Sequence, residues 1–227
     1  AAAPGWPPTS TRCCRPVAMA ETLPASPSLG RRIKGWIDTL LVIDVFVVIA
    51  GALWFGVAVL CHSRMCYIEF CLSQRKAEFY RAILNALTFF GGSPKRIIFD
   101  NLKAAVLNGS GPHACLHPDF LALCGHFLME PIACQRRDPE SKGTVEAGVR
   151  YVKRNALTGR EHQLVNWEAW QQLAVSWRDE VANVRLHQTT RQRPIDRFSQ
   201  ESPLLRSLPV LEFDTDEVVP TIVTSHA

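Results

Sequence analysis

The longest apolar run in the chain is Leu40–Leu60, which has 21 residues and a single charged side chain, Asp44. A run of this length is long enough to form a transmembrane helix. Its composition is instead typical of two buried strands, because Val, Ile and Phe dominate and Ala50-Gly51 interrupts it. A carboxylate near the centre of a bilayer also costs about 2.5–3.5 kcal/mol. We therefore predict two strands joined at Ala50-Gly51, with a single membrane span over residues 40–60 as the alternative.

The pattern after this run alternates between strand and helix spacing. Short apolar runs predict three further strands, at 64–70, 96–99 and around 131–134. Apolar residues at helical spacing predict four helices, at 74–90, 118–127, 144–157 and 167–186. No regular element is predicted in the tail, which has four prolines, Pro194, Pro203, Pro209 and Pro220. This order predicts an α/β domain with a mixed sheet whose hairpin-connected strands come first. The sheet needs residues 40–60 as its opening strands, which favours the two-strand interpretation.

Composition limits the class of protein. The 227 residues are 47% hydrophobic and 20% charged, which is enough to bury a core and excludes disorder of the whole chain. The net charge of +4 is small, but residues 135–160 alone contain seven basic and three acidic side chains. Eight cysteines occur without any CxxC motif, and several lie in apolar runs, so we predict reduced, buried thiols and a cytoplasmic location.

Three carboxylates, Asp44, Asp100 and Glu146, lie where such a sheet could present them together. Mg²⁺ binds through a few carboxylates and substrate phosphates, and two such ions can catalyse displacement at a phosphodiester. Each carboxylate also has an ordinary interpretation. An Asp at a strand end is commonly a turn residue or a helix cap, and Glu146 could belong to a solvated, salt-bridged helix.

The residues around Glu146 strengthen the metal interpretation. Arg150 follows Glu146 at i+4 and Lys153 at i+7, so the three share one face of the predicted helix. A carboxylate within a basic stripe fits a metal ligand beside a phosphate backbone, because lysine and arginine supply sequence-independent affinity for nucleic acid.

Several blocks of the chain resemble successive blocks of one protein class, the IstA-type transposases of the insertion-sequence-twenty-one family of bacterial mobile elements. The resemblance runs from about residue 40 to about residue 213. The blocks are CHSRMCYIEF, FFGGSPKRIIFDNLKAAV, HPDFLALCGHF, RRDPESKGTVEAGVRYVKRNALTGR and ANVRLHQTTRQRP. This resemblance implies a retroviral-integrase-like catalytic core. Its fold would be an RNase H-like mixed five-stranded sheet flanked by helices, with a helical C-terminal extension.

The resemblance also implies a chemistry. It implies DNA cleavage and strand transfer that depend on Mg²⁺, with Mn²⁺ as a substitute, and that form no covalent protein–DNA intermediate. Asp100 would be the second acid of a catalytic, metal-binding triad and Glu146 the third. Asp44 would be the first acid, with Asp38 as its rival. The side chains implied to bind DNA are Lys103, Lys142, Arg150, Lys153 and Arg154.

The implied partners are double-stranded DNA, as element ends and target, a helper ATPase of the same element, and further copies of this chain. We expect a bacterial cytoplasmic protein that is associated with the nucleoid when bound to DNA. The expected organisation is a disordered or degenerate arm over 1–35, an integrase-like core over 36–162, and a helical extension with an irregular tail over 163–227. Since the arm replaces a DNA-recognition region and the first acid is atypical, we expect a truncated or partly degenerate copy. An inactive DNA-binding remnant is the alternative function.

Overall fold

The computed structural model describes residues 40–45, 54–100, 102–134, 150–157 and 166–215, and for 40–45 it describes the backbone alone. Several predictions fall outside these ranges. They concern the N-terminal arm over 1–35, Asp38, the turn at Ala50-Gly51, Lys142 and Glu146.

Seven strands are described. They are β1 (Leu40–Val45), β2 (Trp54–Leu60), β3 (Cys66–Cys71), β4 (Arg96–Phe99), β5 (Val106–Asn108), β6 (Cys115–Leu116) and β7 (Glu130–Ala133). Five of them form one sheet in the order β3-β2-β1-β4-β7. The pairs β1–β2 and β2–β3 are antiparallel, whereas β1–β4 and β4–β7 are parallel. The predicted mixed five-stranded sheet and the α/β class are therefore confirmed.

The run from Leu40 to Leu60 supplies two neighbouring strands of this sheet. Leu41 pairs with Leu60, and the antiparallel ladder continues to Val45 opposite Gly56. No helix among the described stretches of the chain is both long and apolar enough to cross a membrane.

Four α-helices are described. They are α1 (Lys76–Phe90), α2 (Pro118–His126), α3 (Trp167–Trp177) and α4 (Pro194–Glu201). Helix α1 ends at Gly91, whose φ of 70° lies in the left-handed region that a glycine adopts without strain. Residues 150–157 are also helical, and from Lys153 to Leu157 the hydrogen bonding is of the π type.

Two predictions about the C-terminal part were wrong. The α-helix that begins at Trp167 ends at Trp177 and is followed by a π-helical turn, Arg178–Ala182. The helical stretch therefore ends before Leu186, contrary to the prediction. The tail does contain a regular element, α4, followed by a 3-10 turn, Ser202–Leu204. Pro194 occupies the first turn of α4, where its missing N–H removes no helical hydrogen bond, so this proline starts a helix.

Two apolar clusters cover the two faces of the sheet. On one face, α1 and α2 pack on the sheet through Phe79, Leu87 and Phe120, which are at most 1% exposed. On the other face, Val57 and Ile68 of the sheet pack with helical segment 150–157 and with α3. The sheet therefore lies between two helical layers, and burying each large side chain contributes about 1.5–3 kcal/mol.

Candidate active site

The register of the central strands makes Asp44 and Asp100 neighbours. In the parallel ladder of β1 and β4, the last pair is Ile43 with Phe99. Asp44 directly follows Ile43 in the sequence, and Asp100 directly follows Phe99. Adjacent strands lie about 4.8 Å apart. Two of the three predicted carboxylate positions therefore meet at the carboxyl ends of parallel strands, which is where open α/β sheets bind ligands.

The backbone around Asp100 is held on both sides. The Cys134 N–H donates to the carbonyl of Phe99 at 3.0 Å, and the Leu102 N–H donates to the carbonyl of Asp100 at 2.7 Å. Phe99 is fully buried, and its ring lies 4.7 Å from that of Phe120 in an edge-on contact. These contacts fix the end of β4, so half-buried Asp100 is presented from a rigid position.

The helical segment 150–157 packs on one face of the sheet, against Val57 and Ile68. Asp44 pairs with Val57, which pairs in turn with Ile68. Both of these side chains are buried in the same cluster as Val152 and Ala156. Glu146 precedes Arg150 by four residues and lies outside the described residues, so its approach to the two aspartates stays a prediction.

The basic side chains of this segment differ in exposure. Arg150 and Arg154 are exposed and, being four residues apart, share one side of the helix, whereas Lys153 is half-buried. Lys103 is exposed in the turn that follows β4, three residues after Asp100. These four residues therefore lie on elements next to the carboxylate end of the sheet or packed on its face. Lys142, the fifth predicted DNA-binding residue, is outside the described ranges.

Aromatic and cationic contacts anchor segment 150–157 to the C-terminal extension. The ring of Tyr151 lies 5.2 Å from that of Trp177, and the guanidinium carbon of Arg185 lies 3.6 Å from the centre of the Tyr151 ring. Cation–π and aromatic pairs of this kind contribute about 0.5–2 kcal/mol each. The extension therefore holds the segment that carries the predicted basic stripe.

Asp44, Asp100 and Glu146 are the residues whose chemistry suits a divalent metal ion, because all three supply carboxylate oxygens. Among the described side chains, no group of three or more His, Cys, Asp and Glu residues could hold a metal ion. The predicted triad is not contained in that set, since Glu146 and the side chain of Asp44 are not described.

Sequence patterns did not identify the residues that attach the extension to the sheet. Asn183 and Gln171 bind the backbone of Cys66 and Phe70 on edge strand β3 through their side-chain amides. These contacts join residues 117 and 101 positions apart, a separation that no local pattern reports. Both amides lie in the resembling part of the chain, but nothing in their immediate neighbours distinguishes them from exposed polar residues.

No family model matches the chain, whereas individual curated proteins do. The chain is 32% identical over 161 residues to the transposase for insertion sequence element IS21 of Pseudomonas aeruginosa, a match that covers 71% of this chain and 41% of that protein. It is 33% identical over 156 residues to the transposase for an IS21-like element of Bacteroides fragilis, covering 67% and 29%. The chain spans less than half the length of these relatives.

Retroviral integrase structures share this fold. The catalytic core domain of HTLV-2 integrase, solved in complex with magnesium, superposes with a TM-score of 0.53 at 14% identity, covering 71% of this chain and 96% of that one. The catalytic core domain of BIV integrase gives 0.54 at 16% identity, covering 74% and 97%. At these identities the likeness shows the fold alone. We conclude that this chain is a homologue of the IS21-family transposases with the RNase H-like fold of the retroviral integrase catalytic core, which confirms the predicted resemblance.

Proposed function

We propose that this chain carries out the chemical steps of DNA transposition, which are Mg²⁺-dependent cleavage of a phosphodiester and strand transfer. The observation that carries this proposal is the register that makes Asp44 and Asp100 neighbours at the carboxyl ends of β1 and β4. It occurs in an integrase-type fold and in a chain homologous to transposases. Because the chain matches less than half of each relative, the proposal concerns the catalytic steps alone.

Asp44, rather than Asp38, is the first acid in this proposal. Leu40, the first residue of β1, pairs with Arg96 at the amino end of β4, which is the end remote from Asp100. Asp38 precedes Leu40 in the chain, whereas Asp44 follows the pair that ends the ladder. The register therefore supports a site formed by Asp44 and Asp100, completed by Glu146.

The residues of this site fit a divalent metal. Carboxylates at neighbouring strand ends supply the hard oxygen ligands that Mg²⁺ prefers, and Mn²⁺ accepts the same ligands. The HTLV-2 integrase core, which has the same fold, was solved with magnesium. When bound, a pair of such ions activates the attacking hydroxyl and stabilises the leaving oxygen of an in-line displacement.

The side chains of the protein would hold the metal ions and orient the DNA. Asp44, Asp100 and Glu146 would hold the ions through their carboxylate oxygens. Water attacks phosphorus in cleavage and a DNA 3′-hydroxyl attacks it in strand transfer. In both steps one P–O bond forms as another breaks, and no protein atom is covalently bound. The basic side chains fix the DNA by binding phosphate groups without reading sequence. They are Lys103, Lys142, Arg150, Lys153 and Arg154.

The proposed wider assembly rests on the resemblance to IstA-type transposases, and the matched relatives are themselves named as transposases. The DNA partners are the ends of a mobile element and its target, a helper ATPase of the same element assists, and several copies of the chain act together on the DNA. The protein works in the bacterial cytoplasm, associated with the nucleoid when bound to DNA. In the proposed organisation, residues 36–162 form the core and residues 163–227 form the extension that supports it.

Nicking of a supercoiled plasmid in the presence of Mg²⁺ tests the proposal. We expect the wild-type chain to nick and the Asp100→Asn and Glu146→Gln variants to lose this activity. Asp119→Asn is the matched control, because Asp119 is a surface carboxylate on α2 that pairs with Lys76 at 2.6 Å. Equal nicking by wild type and both site variants would disprove the site. Salt-dependent DNA binding by wild type without any nicking would instead identify an inactive DNA-binding remnant.

A further inference from the structure

Basic side chains gather at the end of the sheet opposite to Asp44 and Asp100. The turn after β2 lies at that end, because Leu60 pairs with Leu41 near the start of β1. Arg64 is part of this turn. From Leu41 to Asp44 the strand advances three residues, or roughly 10 Å. Arg64 therefore lies away from the carboxylate end and next to the extension.

Hydrogen bonds lock this turn to the loop 187–192 of the extension. Arg197 donates from Nε and Nη2 to the carbonyl of His62 at 3.0 and 2.8 Å. Through Nη1 it also donates to Oε1 of Gln192 at 3.2 Å, and the carbonyl of Gln192 accepts the His187 N–H at 3.0 Å. One guanidinium thus joins the β2–β3 turn to the loop.

The loop 187–192 is compact and presents an exposed arginine. The Arg191 N–H donates to the carbonyl of His187 at 2.8 Å, and the Thr189 N–H donates to Nδ1 of the His187 ring at 3.3 Å. Arg191 has a φ of 54°, a left-handed conformation that a side chain of this size adopts only where the surroundings impose it. The backbone that carries the exposed Arg191 side chain is therefore fixed by this turn.

Four residues, which we call the arginine cluster, bring positive charge together here. They are Arg64, Arg185, Arg191 and Arg197. Burial, followed by the charges of Arg185, Arg64 and Arg197, lowers the pKa of His187 below its usual value. Three guanidinium groups of the cluster therefore act on one imidazole.

Two acidic side chains lie near these arginines, Asp196 and Glu201. Asp196 binds Arg193 through both carboxylate oxygens, at 2.7 and 2.8 Å. Glu201 is fully buried beside the turn of Arg64, where Oε2 accepts the Ser63 N–H at 2.8 Å and Oε1 has no hydrogen-bond partner among the described residues. Within the described residues, the buried Nε atoms of Arg64 and Arg185 have no hydrogen-bond partner. The cluster consequently has an excess of positive charge that these carboxylates do not balance.

We propose that the arginine cluster binds the phosphate backbone of DNA, as a second contact separate from the one beside the carboxylates. Guanidinium groups suit phosphate because their planar fork donates two parallel hydrogen bonds. The identity of the ligand as DNA rests on the proposed function, whereas the anion site rests on the cluster itself. Two backbone contacts at opposite ends of one sheet orient the duplex on the domain, since phosphate contacts set register rather than sequence preference.

The salt dependence of DNA binding tests this site. Fluorescence anisotropy of a labelled duplex is measured against KCl concentration for wild type and for Arg64→Gln/Arg191→Gln. Each lost phosphate contact lowers the slope of log K against log[KCl] by about 0.9, so the double variant is expected to lose about 1.8. The control, Arg75→Gln/Arg81→Gln, removes two exposed charges from the region of α1 and is expected to keep the wild-type slope.

Two results would overturn the inference. One is an unchanged slope for the double variant, and the other is an equal loss in the control, which would reflect net charge alone. If urea denaturation shows that the Arg64 change prevents folding, Arg191→Gln alone is expected to lose about 0.9 of slope. Inorganic phosphate at the concentration of the duplex is expected to leave anisotropy unchanged, and displacement of DNA by it would identify a site for a free anion.

The salt-dependence test and the cleavage test can fail independently of each other. Asp100→Asn is expected to keep the full salt slope while losing cleavage. Cleavage by wild type together with equal slopes would disprove the arginine site and leave the catalytic proposal standing. A reduced slope in the double variant together with no cleavage by wild type would support the arginine site and disprove the catalytic proposal.

Discussion

Asn183 hydrogen-bonds both backbone groups of Cys66. Its Oδ1 accepts the Cys66 N–H at 2.8 Å, and its Nδ2 donates to the Cys66 carbonyl at 2.9 Å. Gln171 does the same for Phe70, at 3.2 and 2.9 Å. Strand β3 is an edge of the sheet, and unpaired edges recruit strands of other chains. The two amides therefore cover part of this edge and attach the extension to the core.

Replacing Asn183 with alanine is expected to lower the free energy of unfolding by about 2–4 kcal/mol, because a buried donor and a buried acceptor both lose their partner. Urea denaturation measures the change. Asn155→Ala is the control, since Asn155 is exposed and makes one bond, to the Tyr151 carbonyl at 2.9 Å. Its loss is expected to stay within about 0.5 kcal/mol. Equal losses in the two variants would show that the bonds to Cys66 do not hold the extension.

Tyr151→Ala is expected to loosen the segment 150–157, because the Tyr151 ring contacts both the Trp177 ring and the guanidinium of Arg185. Hydrogen exchange of the amides of this segment should become faster, with a loss of about 1–3 kcal/mol in local stability. Tyr151→Phe keeps the ring and is expected to exchange like wild type. Faster exchange in both variants would assign the anchoring to the hydroxyl group instead.

The stability of the protein is expected to fall above pH 9. Burial raises the pKa of the Cys124 thiol from 9.0 to about 12. The folded state then holds this proton more tightly than the unfolded state, so the stabilisation is complete below pH 9 and is lost as pH rises towards 12. The loss is about 1.4 kcal/mol per pH unit for one group.

Unfolding by urea at pH 8 and at pH 10 measures this loss. Cys124→Ala is expected to lose less stability between the two values than wild type, because the variant has one fewer thiol to deprotonate on unfolding. Cys115→Ala, a cysteine-to-alanine change at a half-exposed position, controls for the substitution itself. The same pH dependence in Cys124→Ala and wild type would contradict the assignment.

Removing the exposed charges of segment 150–157 is expected to weaken DNA binding beside the carboxylates. Arg150→Gln/Arg154→Gln should lower the slope of log K against log[KCl] by about 1.8. Unlike the change at the arginine cluster, this change should also slow cleavage when DNA is saturating, because the lost contacts align the scissile phosphate. The charge-matched control is again Arg75→Gln/Arg81→Gln. Unaltered cleavage at saturating DNA would place the scissile phosphate away from this segment.

The central strands were predictable because their signals are local. The run RIIF is bounded by Pro94 on one side and Asp100 on the other, and the strand Arg96–Phe99 was predicted with these limits. The two strands within residues 40–60 were predictable because β-branched residues and a central glycine distinguish a hairpin from a membrane helix. The meeting of Asp44 and Asp100 follows from those strands once β1 and β4 pair in parallel.

Other features depend on tertiary structure and left no local signal. The short hairpin of β5 and β6 has strands of three and two residues, too few to show a period. Helix α4 was missed because its first residue, Pro194, reads as a helix breaker unless it is known to begin the helix. The arginine cluster combines a turn near residue 64 with a loop near residue 190, which are adjacent only in the folded chain.

The central claim is that Asp100 is a ligand of the catalytic metal, and a change of metal specificity tests it most directly. Asp100→Cys replaces a hard oxygen ligand with a thiolate, which Mg²⁺ binds poorly and Mn²⁺ tolerates better. Plasmid nicking by this variant is measured with each ion, beside wild type and Asp119→Cys. We predict that Asp100→Cys is inactive in Mg²⁺ and recovers activity in Mn²⁺, whereas the other two nick in both. Undiminished nicking by Asp100→Cys in Mg²⁺ would contradict the account.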